Sequence, residues 1–539
     1  MSDTLHSILD RVAAEYPAVR ATFPSEKESI TYGDLSASAR AMAAGLLARG
    51  VGRGEPVGIL CPNAPEFLQS LFAVSAAGAA ATPLPLPMGM RHAGAYPARL
   101  AAIAEAAGMR RILVSHRFGA LVEGLEVPGV ELISTADLSG DGPLPAVGPD
   151  DLAIVQFTSG STSLPKGVRL THANVVAGLV AIREGIALGQ GDGGGFWLPL
   201  FHDMGLFGTL SAVLIGIPAF VWSPLSFIND PARWLREFLA SGATITAMPN
   251  FGYDQLAAAF TAAEAAELDM AHWRIAFNGA EPIAEAAVRA FQERFADGGF
   301  RPETMFGVYG MAEATLAVCF PPLGRAPVFE HVDRDKLADG GRAVQVDGPG
   351  ARAVAGVGHP VKGLRLRVVE VESGVEVPEG RVGEIQIQGD PVTAGYLAAD
   401  AERAGESFVD GWLRTGDLGY RRGEEVFVTG RHKEMITVRG ANYYPQDVEA
   451  ITRTTPGVYK GRCVAVAAPG GAEAVWVIAE SGLRGAAAEA LTADLRKAVS
   501  TELGLTAVTV RLVSPRSLPR TSSGKFQRLA ARDLVAGTA

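Results

Sequence analysis

Short apolar runs that end in polar loops recur along the chain, and they constrain its fold more strongly than any other feature. Each run has the length and composition of a buried strand, and helical patterns such as the one over residues 32–50 lie between such runs. Strands that alternate with helices form mainly parallel sheets wrapped by helices, so the sequence predicts an α/β fold. Ligands of such sheets bind at the carboxyl ends of the strands. We therefore expect a site in the loops after the runs at 196–200, 219–222, 244–248 and Ile275–Asn278.

The length of the chain requires more than one hydrophobic core, because 539 residues exceed the size at which a single core stops growing. The last hundred or so residues have their own pattern of strands and helices, beginning with a helix from Pro445. We predict a large N-terminal domain of residues 1–430 and a small C-terminal domain of residues 431–539, with a hinge at 431–433. Residues 321–358 are rich in glycine and charge and lack a sustained period, which predicts an irregular insertion.

Composition narrows the classes of function. The chain has 48 basic and 58 acidic residues, a net charge of −10, so it is not built to coat nucleic acid or an anionic membrane, although local basic sites remain possible. Cys61, Cys319 and Cys463 lie far apart without a CxxC pair, which argues against a zinc site or a disulfide scaffold and suits a reducing cytoplasm.

The sequence gives no sign of secretion or of a membrane span. Its first residues carry acids in place of a basic region followed by an apolar core. The most apolar run, at 67–81, covers about 15 residues and is too short to cross a bilayer. We therefore expect a cytoplasmic protein with no membrane span and no nucleic-acid partner.

The stretch TSGSTSLPKG at 158–167 is the strongest single candidate for ligand binding. It follows an apolar run and precedes a helical pattern that begins near Thr171, which predicts a strand-to-helix loop. Its hydroxyls and Lys166 offer donors and a cation to a polyphosphate, and its glycines let backbone N–H groups approach. Pro165 stands where a Walker A loop has its second glycine, so this is not a P-loop. A polar turn is the plain alternative, but the run that ends in Pro-Lys-Gly favours ATP binding.

Six further motifs follow this loop in order. They are WLPLFHDMGL at 197–206, FNGAEPI at 277–283, YGMAEATL at 309–316, RTGDLGY at 414–420, GRHKEMITVRGANYYPQDVE at 430–449 and LPRTSSGK at 518–525. The series resembles the adenylate-forming superfamily of acyl-CoA synthetases, luciferases and non-ribosomal peptide adenylation domains over essentially the full length. The resemblance implies a large N-terminal domain of mixed and parallel sheets wrapped by helices, and a small mobile α+β C-terminal domain.

Within that superfamily the chain is most similar to the fatty acyl-AMP ligases. The segments that carry this likeness are SPLSFINDPARWL at 223–235, PNFGYDQL at 249–256, HWRIAFNGAEPI at 272–283, GFRPETMFGVYGMAEATL at 299–316 and NYYPQDVE at 442–449. The insertion at 321–358 lies near the place where that family has an extra segment thought to restrain the C-terminal domain. Two stretches depart from the pattern: CPNAPEF at 61–67 is similar to general acyl-CoA ligases, and Ala441 stands where Arg is usual between Gly440 and Asn442.

The resemblance implies a two-step reaction that uses ATP and Mg²⁺. A fatty or related carboxylic acid is activated to acyl-AMP with release of pyrophosphate, and the acyl group then passes to the phosphopantetheine thiol of a holo acyl carrier protein. The alternative is an acyl-CoA or aryl-CoA ligase with coenzyme A as acceptor. A non-catalytic nucleotide-binding protein is a third hypothesis, disfavoured because all the expected charged residues are present.

By the same resemblance, the nucleotide site draws on several loops. The 158–166 loop holds the β- and γ-phosphates, Glu313 and Thr158 help to place Mg²⁺, Tyr309 stacks on adenine, and Asp417 and Arg431 bind the ribose. Each has a plainer alternative: a solvated carboxylate for Glu313, a core residue for Tyr309 and a turn residue for Asp417. The full set of expected nucleotide contacts is Thr158, Ser159, Gly160, Ser161, Thr162, Lys166, Asn278, Gly279, Ala280, Glu281, Tyr309, Gly310, Met311, Ala312, Asp417 and Arg431.

Three further residues have implied roles in catalysis. Lys525 lies in a flexible loop and is expected to deliver a cation to the carboxylate and the α-phosphate. Lys433 is expected at the hinge on which the small domain turns between the two steps. His202 is expected near the carboxylate entrance, with a structural histidine as the alternative. The acyl pocket is expected to involve Trp222, Phe227, Phe251 and Tyr253, which are equally compatible with ordinary core packing.

Overall fold

The computed structural model describes residues 3–86, 96–118, 125–158, 166–348, 350–397, 407–439, 441–469, 472–505, 507–520 and 525–536. The helices in these ranges are α1 (Leu5–Glu15), α2 (Tyr32–Ala48), α3 (Pro65–Ala76), α4 (Tyr96–Ala107), α5 (His172–Gly185), α6 (Asp203–Val213), α7 (Pro224–Asn229), α8 (Pro231–Ala240), α9 (Asn250–Ala259), α10 (Ala262–Ala266), α11 (Glu285–Phe295), α12 (Arg334–Ala338), α13 (Pro445–Thr454), α14 (Ala486–Leu503) and α15 (Arg528–Ala536).

The strands in the same ranges are β1 (Arg20–Phe23), β2 (Glu28–Thr31), β3 (Pro56–Leu60), β4 (Ala80–Pro83), β5 (Arg111–Val114), β6 (Glu131–Ser134), β7 (Leu152–Thr158), β8 (Lys166–Thr171), β9 (Gly194–Phe196), β10 (Ala219–Val221), β11 (Ile245–Met248), β12 (Ile275–Asn278), β13 (Met305–Gly307), β14 (Tyr309–Gly310), β15 (Ala317–Phe320), β16 (Phe329–Asp333), β17 (Ala351–Ala355), β18 (His359–Pro360), β19 (Leu364–Val369), β20 (Gly383–Gly389), β21 (Phe408–Val409), β22 (Trp412–Arg422), β23 (Glu425–Arg431), β24 (Ile436–Val438), β25 (Ala441–Tyr443), β26 (Cys463–Ala467), β27 (Val475–Glu480) and β28 (Val508–Val513).

Two mainly parallel sheets form the larger part of the molecule, which confirms the predicted α/β class. One has the strand order β13-β12-β11-β9-β10-β1-β2 and the other β6-β5-β3-β4-β7-β8. Only the last pair in each order is antiparallel: β1 with β2, and β7 with β8. A third sheet is antiparallel and has the strand order β19-β20-β22-β21, and β23 also pairs with β22.

The run predicted as a strand at 196–200 is shorter and begins earlier, at Gly194. After Phe196 the backbone leaves the sheet, and the side chain of Asn63 replaces the ladder hydrogen bonds. Asn63 Nδ2 donates to the carbonyl of Leu198 at 3.0 Å, and the Leu200 N–H donates to Asn63 Oδ1 at 3.0 Å. The segment therefore stays buried without being a strand.

The prediction of a strand-to-helix loop at 158–167 is wrong. Lys166 begins a second strand that pairs antiparallel with β7, and Thr158 lies opposite Lys166 in the ladder. Helix α5 starts only at His172, where the Thr171 side chain accepts a hydrogen bond from the Asn174 N–H. The hairpin holds Thr158 and Lys166 side by side, which a loop leading into a helix would not do.

The segment predicted as an irregular insertion contains regular elements. Strands β16 and β17 pair as an antiparallel hairpin, and α12 follows β16 directly. Buried Val332, Leu337 and Val354 of this hairpin pack against Tyr420 and Tyr444. The sequence pattern does not predict these short strands, because each of them buries only one or two apolar residues.

The chain after residue 435 builds hydrophobic clusters of its own, in keeping with the predicted two-domain division. One cluster joins β24, α13, β26, β27, α14 and β28, and a smaller one joins α15 to the other face of the β26-β27-β28 sheet. Arg528 crosslinks this part: its guanidinium donates two hydrogen bonds to Glu449, at 2.7 and 3.0 Å, and one to Glu434 at 2.5 Å. None of the described helices has the length and apolar composition of a membrane span.

Arg352 joins the insertion hairpin to the C-terminal part. Its Nε lies 3.1 Å from Asp447 Oδ1, with side-chain exposures of 10% and 16%. Its Nη2 donates to the Thr429 carbonyl at 2.7 Å, and its guanidinium carbon lies 3.9 Å from the centre of the Tyr444 ring. This buried charge is therefore paired, hydrogen-bonded and stacked at once.

We predict that Arg352→Ala lowers the free energy of unfolding by about 3 kcal/mol, because it leaves the Asp447 carboxylate buried without its cation. Urea denaturation measures the loss. The double variant Arg352→Ala/Asp447→Asn should recover part of it, since no unpaired charge remains. Equal losses in the single and double variants would contradict the importance of this pair.

Candidate active site

The carboxyl edge of the first sheet gathers most of the predicted loops. Strands β9, β11, β12 and β13 run parallel, so the segments that follow them leave at the same edge. Two of these loops are hydrogen-bonded to each other, because the Phe251 N–H donates to Glu281 Oε1 at 2.7 Å. Sheet topology thus brings together stretches that are up to about a hundred residues apart in sequence.

Asp417 lies at the centre of a hydrogen-bonded trio. It faces Arg431 across the β22-β23 ladder, and Arg431 Nε donates to Asp417 Oδ1 at 3.0 Å. The Tyr309 hydroxyl donates to Asp417 Oδ2 at 2.7 Å. Asp417 is buried, whereas the Arg431 side chain is 58% exposed. Asp417 therefore contacts directly both of the other residues that were predicted to hold the nucleoside.

Glu313 is linked to the β7-β8 hairpin through Tyr396. The Tyr396 hydroxyl donates to Glu313 Oε1 at 3.0 Å, and Lys166 Nζ lies 5.0 Å from the centre of the Tyr396 ring. Burial raises the pKa of Glu313, and the Tyr396 hydrogen bond and the charge of Arg431 act in the opposite direction. The predicted contacts Ser159, Gly160, Ser161 and Thr162 lie outside the described residues.

Thr158 and Glu313 provide oxygen ligands of the kind Mg²⁺ prefers. A Mg²⁺ ion usually takes one or two protein carboxylates and completes its shell with water and substrate phosphate. Among the described residues no group of three or more His, Cys, Asp or Glu side chains is arranged to hold a metal. The oxygen atoms of Thr158 and Glu313 therefore suit a Mg²⁺ ion that is carried by a nucleotide. They are too few for a metal site in which protein side chains supply every ligand.

The segment 278–281 has the constrained backbone of a close-packed shelf. Asn278 is fully buried, and its Oδ1 has no hydrogen-bond partner. A Cβ on Gly279 would lie 2.8 Å from Val308 Cγ2, and Ala280 adopts a left-handed φ of 63°. Gly310 is equally constrained, since a Cβ there would lie 2.1 Å from the Leu316 carbonyl oxygen. Met311 is partly exposed and Ala312 is buried beside it.

Lys525 sits within the same charged cluster, although it comes from the far end of the chain. Desolvation lowers the pKa of its ammonium, while the charges of Asp203, Glu281 and Asp417 raise it. Asp203 Oδ1 lies 3.0 Å from His202 Nδ1, and its side chain is 19% exposed. Burial acts to raise the pKa of Asp203, but the His202 hydrogen bond and the Lys525 charge outweigh it, so the pKa is lowered. The cluster thus combines the ammonium of Lys525 and the guanidinium of Arg431, which lowers the pKa of Lys525, with the three carboxylates that raise it.

Three of the four residues predicted for the acyl pocket are fully enclosed by protein. The Phe227 ring stacks on Trp197 with centroids 4.0 Å apart, and Trp222 packs edge-on against Trp234 at 5.9 Å. The Tyr253 hydroxyl donates to the Phe277 carbonyl at 2.7 Å. This packing favours the alternative of ordinary core. Phe251 alone of the four is partly exposed, so it remains the better candidate for contact with substrate.

Lys433 follows Arg431 of the cluster by two residues. It is exposed and belongs to the 3₁₀ turn His432–Glu434, which follows β23 directly. The adjacent Glu434 accepts a hydrogen bond from the Arg528 guanidinium. The position suits a hinge, and that role stays a prediction.

Comparison with known proteins gives the family. The AMP-binding enzyme family matches residues 9–397, and its C-terminal domain family matches residues 440–532. The chain belongs to the AMP-binding enzymes. It is 32% identical to the long-chain-fatty-acid–AMP ligase FadD32 of Mycolicibacterium smegmatis over 95% of this chain and 90% of that protein. It is 34% identical to the medium-chain-fatty-acid–[acyl-carrier-protein] ligase JamA of Moorena producens over 94% of this chain and 90% of that one.

A solved structure supports the same assignment. It comes from a study of fatty acyl-adenylate ligases from E. coli and L. pneumophila and superposes with a TM-score of 0.93. Its sequence is 32% identical, and the match covers 99% of this chain and 98% of that one. The resemblance to fatty acyl-AMP ligases inferred from the motifs is therefore confirmed.

Two residues of this AMP-binding enzyme's site were not predicted. Asp203 follows His202 in the sequence FHD, and an acid beside a candidate site histidine is the signal that points to it. No sequence signal points to Tyr396. It reaches Glu313 because residues 393–397 lie along β8, where Tyr396 pairs with Val168 in an antiparallel β-bridge.

The charge balance at Lys525 can be tested without reference to activity. We predict that its pKa lies below the ordinary value of 10.5 and falls further in Asp203→Asn, because that carboxylate raises it. NMR titration of ¹³C-methylated lysines follows the ammonium, and the signal is assigned by its loss in Lys525→Gln. The exposed Asp141→Asn serves as a matched control and should leave the titration unchanged. A rise in the pKa of Lys525 on Asp203→Asn would contradict the proximity of the two charges.

Proposed function

We propose that this AMP-binding enzyme activates a fatty acid with ATP to acyl-AMP and pyrophosphate. It then transfers the acyl group to the phosphopantetheine thiol of a holo acyl carrier protein. The observation that carries the proposal is the hydrogen-bonded trio of Asp417, Arg431 and Tyr309, together with Lys525 from the C-terminal part, whose charged form Asp203, Glu281 and Asp417 stabilise. A cation delivered among these groups suits a reaction at the α-phosphate, where negative charge develops.

In the first step a carboxylate oxygen attacks the α-phosphorus of ATP, the bond to the β-phosphate oxygen breaks, and pyrophosphate leaves. Positioning and charge neutralisation carry such a reaction. Asp417 is suited to accept hydrogen bonds from the ribose hydroxyls, with Arg431 and Tyr309 fixing its orientation. Thr158 and Lys166, held side by side by the hairpin, are suited to the departing phosphates.

Glu313 and Thr158 would hold a Mg²⁺ ion carried by the nucleotide, and the ion would supply neutralising charge on the phosphates. The Tyr396 hydrogen bond orients the Glu313 carboxyl through its Oε1 atom.

In the second step the carrier thiol attacks the acyl carbonyl and AMP leaves, so no protein thiol is needed. Cys61, Cys319 and Cys463 are all buried and free. Burial raises the pKa of all three thiols, that of Cys463 to about 12, which makes them poor nucleophiles. The cytoplasmic location expected from these cysteines stays a prediction.

The carrier protein is favoured over coenzyme A as acceptor. The name of JamA states ligation to an acyl carrier protein, and JamA is similar to this chain over nearly its whole length. The stretch CPNAPEF, which suggested a CoA ligase, has a structural explanation: its Asn63 braces the backbone at Leu198 and Leu200 and donates to the Trp222 carbonyl at 2.8 Å. Asn63 therefore has a structural role that does not depend on the acceptor.

We predict that Lys525→Ala lowers ATP–pyrophosphate exchange at least about 100-fold, because the ammonium stabilises charge that develops in the transition state. The exchange assay reports the first step alone. The exposed Lys497→Ala is the matched control and should retain full exchange. Exchange that survives Lys525→Ala unchanged would refute the role of this lysine.

The acceptor is tested by incubating the enzyme with ATP, a mixed panel of fatty acids and either a holo acyl carrier protein or coenzyme A. Mass spectrometry of the carrier should find it acylated and should report the preferred chain length in the same measurement. Rapid formation of acyl-CoA with no loading of any carrier protein would overturn the proposed acceptor while leaving adenylation intact.

A further inference from the structure

A buried carboxamide joins strand β7 to the loop that precedes α6. Gln156 is 2% exposed and lies in β7, two residues before Thr158. Its Nε2 donates to the carbonyl of Phe201 at 2.9 Å and has a longer contact of 3.5 Å with the Phe157 carbonyl. Because Phe201 is followed directly by His202, the shorter bond connects the strand that carries Thr158 to a second predicted site residue.

The peptide unit between Phe201 and His202 is held at both of its polar atoms. Its carbonyl accepts the Gln156 hydrogen bond, and its N–H, which belongs to His202, donates to the Pro199 carbonyl at 3.0 Å. This peptide unit cannot rotate without breaking one of the two bonds, and a buried backbone group that loses its partner is destabilising. The backbone from which the His202 side chain leaves is therefore fixed.

The His202 side chain passes this order on to Asp203. His202 is the N-cap residue of α6, but its side chain makes no capping hydrogen bond. Its Nδ1 lies 3.0 Å from Asp203 Oδ1, and the Met204 N–H donates to the same oxygen at 2.8 Å. The charge of Asp203 in turn acts on Lys525. A hydrogen bond made by Gln156 can therefore influence Lys525 without contact between the two side chains.

Asn63 holds the earlier part of the same loop, through the contacts with Leu198 and Leu200 described above. Asn63 follows β3, and β3 belongs to the same sheet as β7. Two side-chain amides of this second sheet thus fix the backbone of a loop that leaves the first sheet. Gln156 is the one that acts on the peptide unit next to His202.

The carboxamide of Gln156 also carries a penalty. Among the residues that the structure describes, its Oε1 is buried and has no hydrogen-bond partner. A buried acceptor without a donor is destabilising, and a methionine would fill a similar volume without this penalty. Local choices of this kind, which stability alone disfavours, are typical of functional sites. The bond from Nε2 to Phe201 gives the polar group a reason to be there.

We propose that Gln156 is a positioning residue for acyl-adenylate formation, and that its hydrogen bond to the Phe201 carbonyl holds His202 and Asp203 in register with Lys525. The proposal rests on the function proposed above. Gln156 and Thr158 are two residues apart on one strand, so their side chains lie on the same face of β7. A rigid strand thereby keeps the phosphate-side hydroxyl and the His202–Asp203 pair at a constant separation.

The first test removes the donor and keeps the size of the side chain. In Gln156→Met, the kcat of ATP–pyrophosphate exchange should fall at least about tenfold, because misplacement of the charged groups raises the barrier of the chemical step. The KM for ATP should stay within about twofold of wild type, because the ladder between Thr158 and Lys166 is unchanged. Gln69→Met is the matched control: its Nε2 donates to Ser38 Oγ at 3.1 Å, and it should retain full exchange.

The second test restores the donor with pH. A carboxyl introduced by Gln156→Glu donates to the Phe201 carbonyl only when it is protonated, and burial raises the pKa of such a carboxyl. The ratio of the variant's kcat to that of wild type should therefore rise at least about fivefold between about pH 8 and about pH 6. Titrations that both proteins share cancel in this ratio. The ratio for Gln156→Met should not change with pH, since that side chain does not titrate.

A third measurement does not depend on activity. NMR titration of ¹³C-methylated lysines should show the pKa of Lys525 lowered in Gln156→Met, in the same direction as in Asp203→Asn, because the Asp203 carboxylate is no longer held in place. Gln69→Met should leave this titration as in wild type.

The outcomes separate this proposal from the one on which it rests. A loss of kcat in Gln156→Met together with a pH-dependent recovery in Gln156→Glu supports positioning by the hydrogen bond. A pH-independent ratio in Gln156→Glu, or an unchanged kcat in Gln156→Met, would show the proposal to be wrong. If Gln156→Met does not fold, the pH series of Gln156→Glu decides alone. If wild type catalyses no exchange with any fatty acid, the proposed function is wrong, and the titration of Lys525 still decides whether Gln156 positions Asp203.

Discussion

The balance of charge at Lys525 is the interaction on which the site depends. Removing an ammonium from water disfavours its charged form. Nearby carboxylates offset this desolvation penalty and keep the cation stable in the site. Asp203, Glu281 and Asp417 provide that compensation, and each leaves from a different strand or loop of the large N-terminal part. The cleft is therefore complete only when the last segment of the chain lies against the first sheet.

The remainder of the structure fixes the parts of this cluster. The parallel order β13-β12-β11-β9 brings the loops to one edge, and the β22-β23 ladder sets Asp417 opposite Arg431. Arg352 and Arg528 hold the C-terminal part through buried carboxylates: Arg352 from the insertion hairpin, and Arg528 from within the C-terminal part itself. Both arginines use the geometry of the guanidinium to satisfy several acceptors at once.

The C-terminal part brings the ammonium of Lys525 among carboxylates of the N-terminal part, which suits chemistry at a phosphate. Because Lys525 belongs to this small unit, a turn of the unit at residues 431–433 would withdraw the catalytic lysine between the two steps. One motion would then set the order of the two steps.

The sequence by itself determined the class of fold, the family and the identity of the charged residues. Local sequence signals located the strand Ile275–Asn278 and the start of the helix at Pro445 to the residue, because period and turn chemistry are local properties. The motif order pointed to Asp417, Arg431 and Lys525 before any contact was known. Only the tertiary structure decided that Lys166 begins a strand, that Tyr396 orients Glu313 and that the charge of Asp203 acts on Lys525. It also decided that Trp222, Phe227 and Tyr253 are covered by protein. These contacts depend on packing between segments that are distant in sequence. A local sequence pattern does not specify which distant side chain will contact a given residue.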